Sequence, residues 1–440
     1  MTYFPSDFVW GVSTSAYQVE GAPTAGGKGE SIWDRFSHQP GVIRDGSTGD
    51  VATDHYNRFQ EDVDLLAELG VSAYRLSVSW PRLMPDGRGP LALTGFDFYD
   101  RLFDRLVAAG VEPWVCLYHW DLPQALQNRG GWTQRDTAYW FADYAQVVAE
   151  RFGDRVPVFL MLNEPNVHAL LGHLAGLHAP GLQGLSDYLA AVHHLNLAAG
   201  EGLQRLREVG EWRLGTVVNL QPIVPASDSE DDVAAAGLAD EAYNRASLDP
   251  LLLGSYPPNL APLMQVVMRA GDEETMRQPV DLLGVNHYTV QRVAAGDGPI
   301  GIEVLGAPAG AEATGMGWQV APAALTQQLL AVRDRYGNPP LVITENGAAY
   351  ADPPPRAGRV PDPKRVDYLR RYLRAVADAR EQGCDVRGYF AWTLVDNFEW
   401  SDGFTQRFGL VHLDRETLTR TPKDSYRYYQ EVIASGSVPD

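Results

Sequence analysis

A closed (β/α)8 barrel with long loops on one face is the fold this sequence predicts. Three observations carry that expectation. Eight short apolar runs recur along the 440 residues. A helical pattern follows each run. Most runs lack period-two alternation, as strands buried on both faces do. No composition break or fixed-period repeat divides the chain, so residues 1–440 are read as one domain. Barrels of this class often exceed the usual domain length.

The runs, rich in Val, Leu, Ile and aromatics, span residues 8–13, 73–80, 112–118, 158–163, 213–219, 281–286, 341–345 and 388–393. The helical patterns span 56–69, 97–109, 136–152, 187–209, 232–245, 322–336, 363–382 and 422–433. In the first helix Phe59, Val63, Leu66 and Ala67 share a face, and Gly70 ends it. Three helices begin with Pro, which suits a first turn. Asp opens several others and suits capping and the helix dipole. The Gly/Ala-rich stretch 294–315 and the Pro-rich stretch 352–363 follow strand ends and read as long loops on one face. Gly26-Gly27-Lys28-Gly29 lacks the strand-loop-helix spacing of a phosphate loop and reads as a flexible loop.

Composition narrows the function. Lys and Arg number 36 against 56 Asp and Glu, a net charge of −20. Such a chain lacks the basic footprint that nucleic acid or an anionic membrane requires. No apolar stretch is long enough to span a bilayer, and no secretory signal is visible, so a cytoplasmic location is expected. The two cysteines, Cys116 and Cys384, read as buried thiols. Ten histidines show no metal-ligand spacing, and there is no nucleotide loop or nucleophile elbow. His193 and His194 fall in a helix, His173 and His178 in a loop, and all read as structural or solvated. No cofactor or metal is expected.

In a barrel of this kind the chemistry sits where strands end. Those positions hold Gln18, Arg75, His119, Asn163, Glu164, Asn286, Tyr288, Glu345 and Trp392, with Glu399 and Trp400 in the last loop. Two carboxylates stand out. Glu164 ends the fourth strand and Glu345 the seventh, across the barrel from each other. Either alone reads as a solvated charge. Together, facing one cavity at about 5–5.5 Å, they are the equipment for retaining glycoside hydrolysis. One carboxylate attacks the anomeric carbon; the other protonates the leaving oxygen and then activates water.

At these residues the sequence resembles glycoside hydrolase family 1, the β-glucosidase family, over nearly its whole length. The resemblance runs through the stretch 8–21, Tyr74-Arg75-Leu76-Ser77, Tyr118-His119-Trp120-Asp121, Asn163-Glu164-Pro165 and His178-Ala179-Pro180-Gly181. It continues in Asn286-His287-Tyr288, Met316-Gly317-Trp318, Thr344-Glu345-Asn346-Gly347, Asp396-Asn397-Phe398-Glu399-Trp400 and Arg407-Phe408-Gly409-Leu410. It implies Glu345 as nucleophile and Glu164 as acid/base. It implies Gln18, His119, Asn163, Glu399 and Trp400 as partners of the sugar hydroxyls and Trp392 as the platform beneath the ring. Phe408 joins the substrate-binding set, and Arg75, Tyr288 and Asn286 hold the nucleophile. Met161 and His287 depart from the family's usual Thr and Tyr. Asn166 stands where many members carry Trp, which predicts a more polar leaving-group wall.

The expected activity is hydrolysis of short or aryl β-glucosides, with galactosides or fucosides as neighbours. A transglycosylase shares every catalytic part. A phospho-β-glycosidase would need a cation near the sugar's outer oxygen, where this chain has Gln406 in place of the family's Lys and a carboxylate, Glu399, expected to repel phosphate. A non-catalytic sugar-binding barrel would have no use for both Glu164 and Glu345. The oligomeric state is not legible.

Overall fold

The computed structural model describes residues 2–298 and 300–439. Its eight barrel strands are β1 (Val9–Ser13), β2 (Ala73–Ser77), β3 (Glu112–Tyr118), β4 (Val158–Asn163), β5 (Arg213–Asn219), β6 (Leu282–Asn286), β7 (Leu341–Asn346) and β8 (Val386–Trp392). They pair in parallel in chain order, and β8 closes the ring on β1, with Gly388 opposite Val9 and Trp392 opposite Ser13. The helices that follow them are α1 (His55–Leu69), α2 (Leu93–Ala108), α3 (Asp136–Phe152), α4 (Leu185–Val209), α5 (Glu230–Asp240), α6 (Pro322–Tyr336), α7 (Pro363–Glu381) and α8 (Asp424–Ser435). Outside the barrel, Thr2–Tyr3 pairs antiparallel with Ser437–Val438.

The strands are apolar on both faces because two cores meet them. Ala73, Trp114, Cys116, Leu160, Val342 and Phe390 fill the barrel's interior, and a larger core lies between strands and helices. Phe390 dictates its neighbour: a Cβ on Gly11 would lie 2.3 Å from its ring and 2.8 Å from the Ala73 carbonyl oxygen. Both cysteines are buried free thiols.

In α1, Phe59, Val63 and Leu66 are buried as spaced, and Gly70 ends the helix at φ +81°. Ala67 does not join them; it faces solvent. Leu69 and Asp62 fill the stripe instead, Asp62 held by His55 and Arg420. The run 73–80 is strand only to Ser77, after which Trp80–Leu83 turns helical with Pro81 in its first turn. Pro422 does not open α8. It pairs with Val411 in a short ribbon, and the helix starts at Asp424.

Two expected loops are ordered structure. The stretch 294–315 shares a hairpin, Gln291–Ala295 with Ile302–Leu305, to which Ile223–Pro225 adds a third strand. Val293 and Ile302 bury against Ala235, Ala236 and Ala239 of α5, a small core of their own. Around Gly29 the Gly-rich segment is pinned: Lys28 pairs with Asp34, and a Cβ on Gly29 would lie 2.3 Å from the Pro85 carbonyl oxygen. His173 sits in a π-turn, Leu170–Leu174, that continues the helix Pro165–Ala169 after Glu164. Such turns gather at functional sites.

Candidate active site

The C-terminal ends of the strands surround one cavity. His119, Glu164, Tyr288, Glu345, Trp392, Glu399, Trp400 and Phe408 all line it. Gln18, Arg75, Asn163 and Asn286 lie behind that lining, buried and bonded to it.

Glu345 is held at both oxygens. Arg75 Nη1 donates to Oε1 at 2.6 Å, and the Tyr288 hydroxyl donates to Oε2 at 2.6 Å. Burial pushes the Glu345 pKa up, and Arg75 and Tyr288 pull against it. Asn286 and Asn219 both donate to Glu164 Oε1, at 2.7 and 2.8 Å. An oxygen accepting two N–H groups is the carbonyl-like one, so the proton of the acid form belongs on Oε2. Burial first, and the Glu345 charge second, push Glu164 to about 8, against the two amides. Arg75 is hydrogen-bonded to Glu345 and acts on Glu164 only through its charge.

The tautomer of His119 follows from the same network. A guanidinium only donates, and Arg75 Nη2 lies 2.6 Å from Asn163 Oδ1. Asn163 therefore turns its Nδ2 to His119 Nε2, at 2.9 Å, and that nitrogen must accept. Burial and the Arg75 charge keep the imidazole neutral. Its proton is then on Nδ1, a buried atom with no protein partner, in a ring that lines the cavity. Trp120 adds an N–H to the Asn163 carbonyl oxygen. Thr344 fixes the Asn286 amide by donating to its Oδ1 at 2.7 Å.

Gln18 sits beneath Glu399. Its Nε2 donates to the Phe398 carbonyl at 2.9 Å, to Asn397 Oδ1 at 3.2 Å and to Glu399 Oε2 at 3.4 Å. The Ser15 hydroxyl donates to its Oε1 at 2.6 Å. Burial, then the charges of Asp402, Glu345 and Glu164, push Glu399 to about 8. Trp400 stacks with Tyr17 and His119, and Phe408 packs with Tyr288 and Trp318.

Glu164, Trp120 and Trp400 all take positive φ, at 48°, 77° and 56°. Non-glycine residues there cost of order 1–3 kcal/mol each and cluster where function holds them. No sequence pattern marks them. Asn219 is a different omission: it ends β5, so the strand-end rule covers it. Tyr243 and His178 also line the cavity. The polar leaving-group wall expected from Asn166 is not there. Asn166 is buried, and its amide donates to the carbonyl oxygens of Asn219 and Tyr243. Met161 and His287 are buried away from the lining as well.

Residues 1–437 match the model of glycosyl hydrolase family 1. The chain is 43% identical to β-glucosidase A of Acetivibrio thermocellus, over 98% of each chain. It is 46% identical to the thermostable β-glucosidase B of Thermobispora bispora, over 98% of this chain and 90% of that one. A β-glucosidase from Thermotoga maritima, solved in complex with glucoimidazole, superimposes with a TM-score of 0.95 at 41% identity, covering 99% of this chain and 100% of the other. Likeness of that depth reaches past the barrel, a scaffold many unrelated activities share, and it places this chain in glycosyl hydrolase family 1.

Proposed function

We propose that Glu345 and Glu164 carry out the O-glycosyl hydrolysis of this family member, and that its substrate is a β-glucoside. The observation that carries the assignment is the unequal environment of the two carboxyls. A Glu345 oxygen attacks the anomeric carbon as the bond to the leaving oxygen breaks, and Glu164 Oε2 gives its proton to that oxygen. The intermediate is a covalent glycosyl ester of Glu345. Esterification removes the negative charge that helped raise Glu164, so Glu164 becomes the base for the second step. It takes a proton from water, whose oxygen attacks the anomeric carbon and releases Glu345. Net configuration is retained.

The remaining groups position the sugar. Nδ1–H of His119 donates to a hydroxyl, and the Glu399 carboxyl hydrogen-bonds others. Gln18 and Asn163 act by orienting Glu399 and His119. Trp392 and Trp400 supply flat apolar surface for the ring. The relatives' names support glucose as the sugar.

The test is Glu345→Gly with dinitrophenyl β-glucoside. Hydrolysis should vanish, and azide should restore turnover by attacking the anomeric carbon from the vacated side, giving α-glucosyl azide. Near-normal hydrolysis without azide would overturn the assignment.

A further inference from the structure

A second concavity lies apart from the catalytic cavity, and the two share no lining residue. Three segments wall it: the turn 86–89 after the short helix Trp80–Leu83, the helix Gln124–Gln127 with the residues just beyond it, and the first turns of α3. These walls are fixed against one another. Trp80 Nε1 donates to the Gly87 carbonyl oxygen at 3.1 Å. Gly87, at φ +74°, packs so close that a Cβ there would lie 2.4 Å from Leu126. No step of the glycoside chemistry uses this groove.

Its donors are unspent. The Arg88 guanidinium lies over the Trp140 ring, 5.1 Å from the centroid, a contact that holds it through the face of the indole and leaves its N–H groups free. Among the described residues neither Arg88 nor Arg129 has an acceptor for its guanidinium, nor Trp140 one for its indole N–H. Asn128 Oδ1 accepts from Gln124 Nε2 at 3.0 Å and from Arg35 Nη1 at 3.4 Å, so the amide Nδ2 is its free end. Two carboxylates complete the lining. Asp143 is met by Arg205 at 2.9 Å, whereas Asp86 has no cation within the protein among the described residues.

Arg88 and Arg129 against Asp86 leave the groove one positive charge in excess, a reversal of sign on a chain of net charge −20. A planar guanidinium fork suits a carboxylate, which it meets with two parallel hydrogen bonds. Asp86 only accepts, so it suits a hydroxyl on the same ligand and opposes a second negative charge.

We propose that this groove binds a hydroxylated monocarboxylate, a sugar acid, with its carboxylate on Arg88 and Arg129 and a hydroxyl on Asp86. Asn128 and Trp140 supply further donors to its remaining oxygens.

The experiment follows the nitrogen–proton resonances of the tryptophan indoles in the full-length protein as D-glucuronate is added. Trp140 is identified by the signal lost in Trp140→Phe, so the readout belongs to the groove and not to the catalytic cavity. That resonance should move and saturate, with a Kd on the order of 1 mM, as befits a small ligand on an open site. D-Glucose has the hydroxyls without the carboxylate, and inorganic phosphate has the charge without the hydroxylated ring. Each should bind at least about tenfold more weakly than glucuronate. Arg88→Ala and Arg129→Ala, both at exposed positions, should each weaken glucuronate binding about tenfold or more, with hydrolysis of nitrophenyl β-glucoside unchanged. No saturable shift of Trp140, glucose or phosphate binding as tightly as glucuronate, or a Kd unchanged in either arginine variant would overturn the proposal.

Discussion

Glu345→Gln removes one charge and little else, so it isolates what that charge does to Glu164. Gln keeps an oxygen for Arg75 and an amide for Tyr288. In the intact site Glu164 is pushed to about 8, by burial first and by Glu345 second. Carboxyls of a retaining pair stand about 5.5 Å apart. Two unit charges at that distance and an effective dielectric near 20 repel by about 3 kcal/mol, or roughly 2 pKa units. A negative neighbour disfavours the ionised form, so its removal must lower the pKa. Glu164 should therefore titrate near 6 in the variant, still above an ordinary Glu because burial remains. Carboxyl infrared difference spectra across pH 4–10, wild type against variant, measure this directly. The same fall should accompany trapping of a 2-fluoroglucosyl ester on wild-type Glu345. If Glu164 in the variant still titrates at 8 or higher, burial alone sets its pKa. The idea that esterification switches it from acid to base would then fail.

Tyr288→Phe deletes a donor to ionised Glu345. A loss of about 1.5–3 kcal/mol should lower kcat/KM about 10–100-fold and move the acid limb of its pH profile to higher pH; an unmoved limb would show Tyr288 only packs. Burial pushes the Asp121 pKa up to about 8, against weak hydrogen bonding from Ser79 and its own backbone. Its folded form holds a proton that the unfolded chain loses near pH 4, so the group drains stability as pH rises from about 4 to 8. Asp121→Asn should flatten the fall in Tm between pH 5 and 8, and parallel curves would contradict this. Lys423 Nζ bridges Asp352 at 2.6 Å and Asp396 at 2.8 Å, all buried. Lys423→Met should cost about 3–5 kcal/mol in urea unfolding and raise KM by loosening the loop from Asp396 to Glu399; an unchanged midpoint would refute it.

What the sequence made legible, it did through periodicity and punctuation. Strands that fill a lumen on one side and meet helices on the other appear as unbroken apolar runs, so all eight barrel strands could be located. Their ends then pointed to Glu164 and Glu345. The hairpin 291–305 left no such mark. Its inward residues, Val293 and Ile302, lie nine positions apart across a turn, and their partners are alanines of α5 some 55 residues earlier. Asn166 misled for a related reason. Its polarity was assigned to the cavity, but two backbone carbonyls claim it. The protonation of His119 lay beyond reach, because it depends on which way Asn163 faces, and Arg75 decides that from another strand.

The seam of the barrel imposes an order of events during synthesis. β1 finds its second neighbour only in β8, and some 370 residues lie between them. At roughly 5–20 residues per second, β1 waits on the order of 20–70 s for that partner. Through that interval the nascent sheet is an open fan with an unpaired edge, the kind of surface on which chains associate wrongly. Phe390 arrives with β8 and drops into the space that Gly11 leaves for it. The last barrel strand made therefore also brings the ring that completes the interior packing of Ala73, Trp114, Cys116, Leu160 and Val342, so closing the barrel and finishing that core coincide.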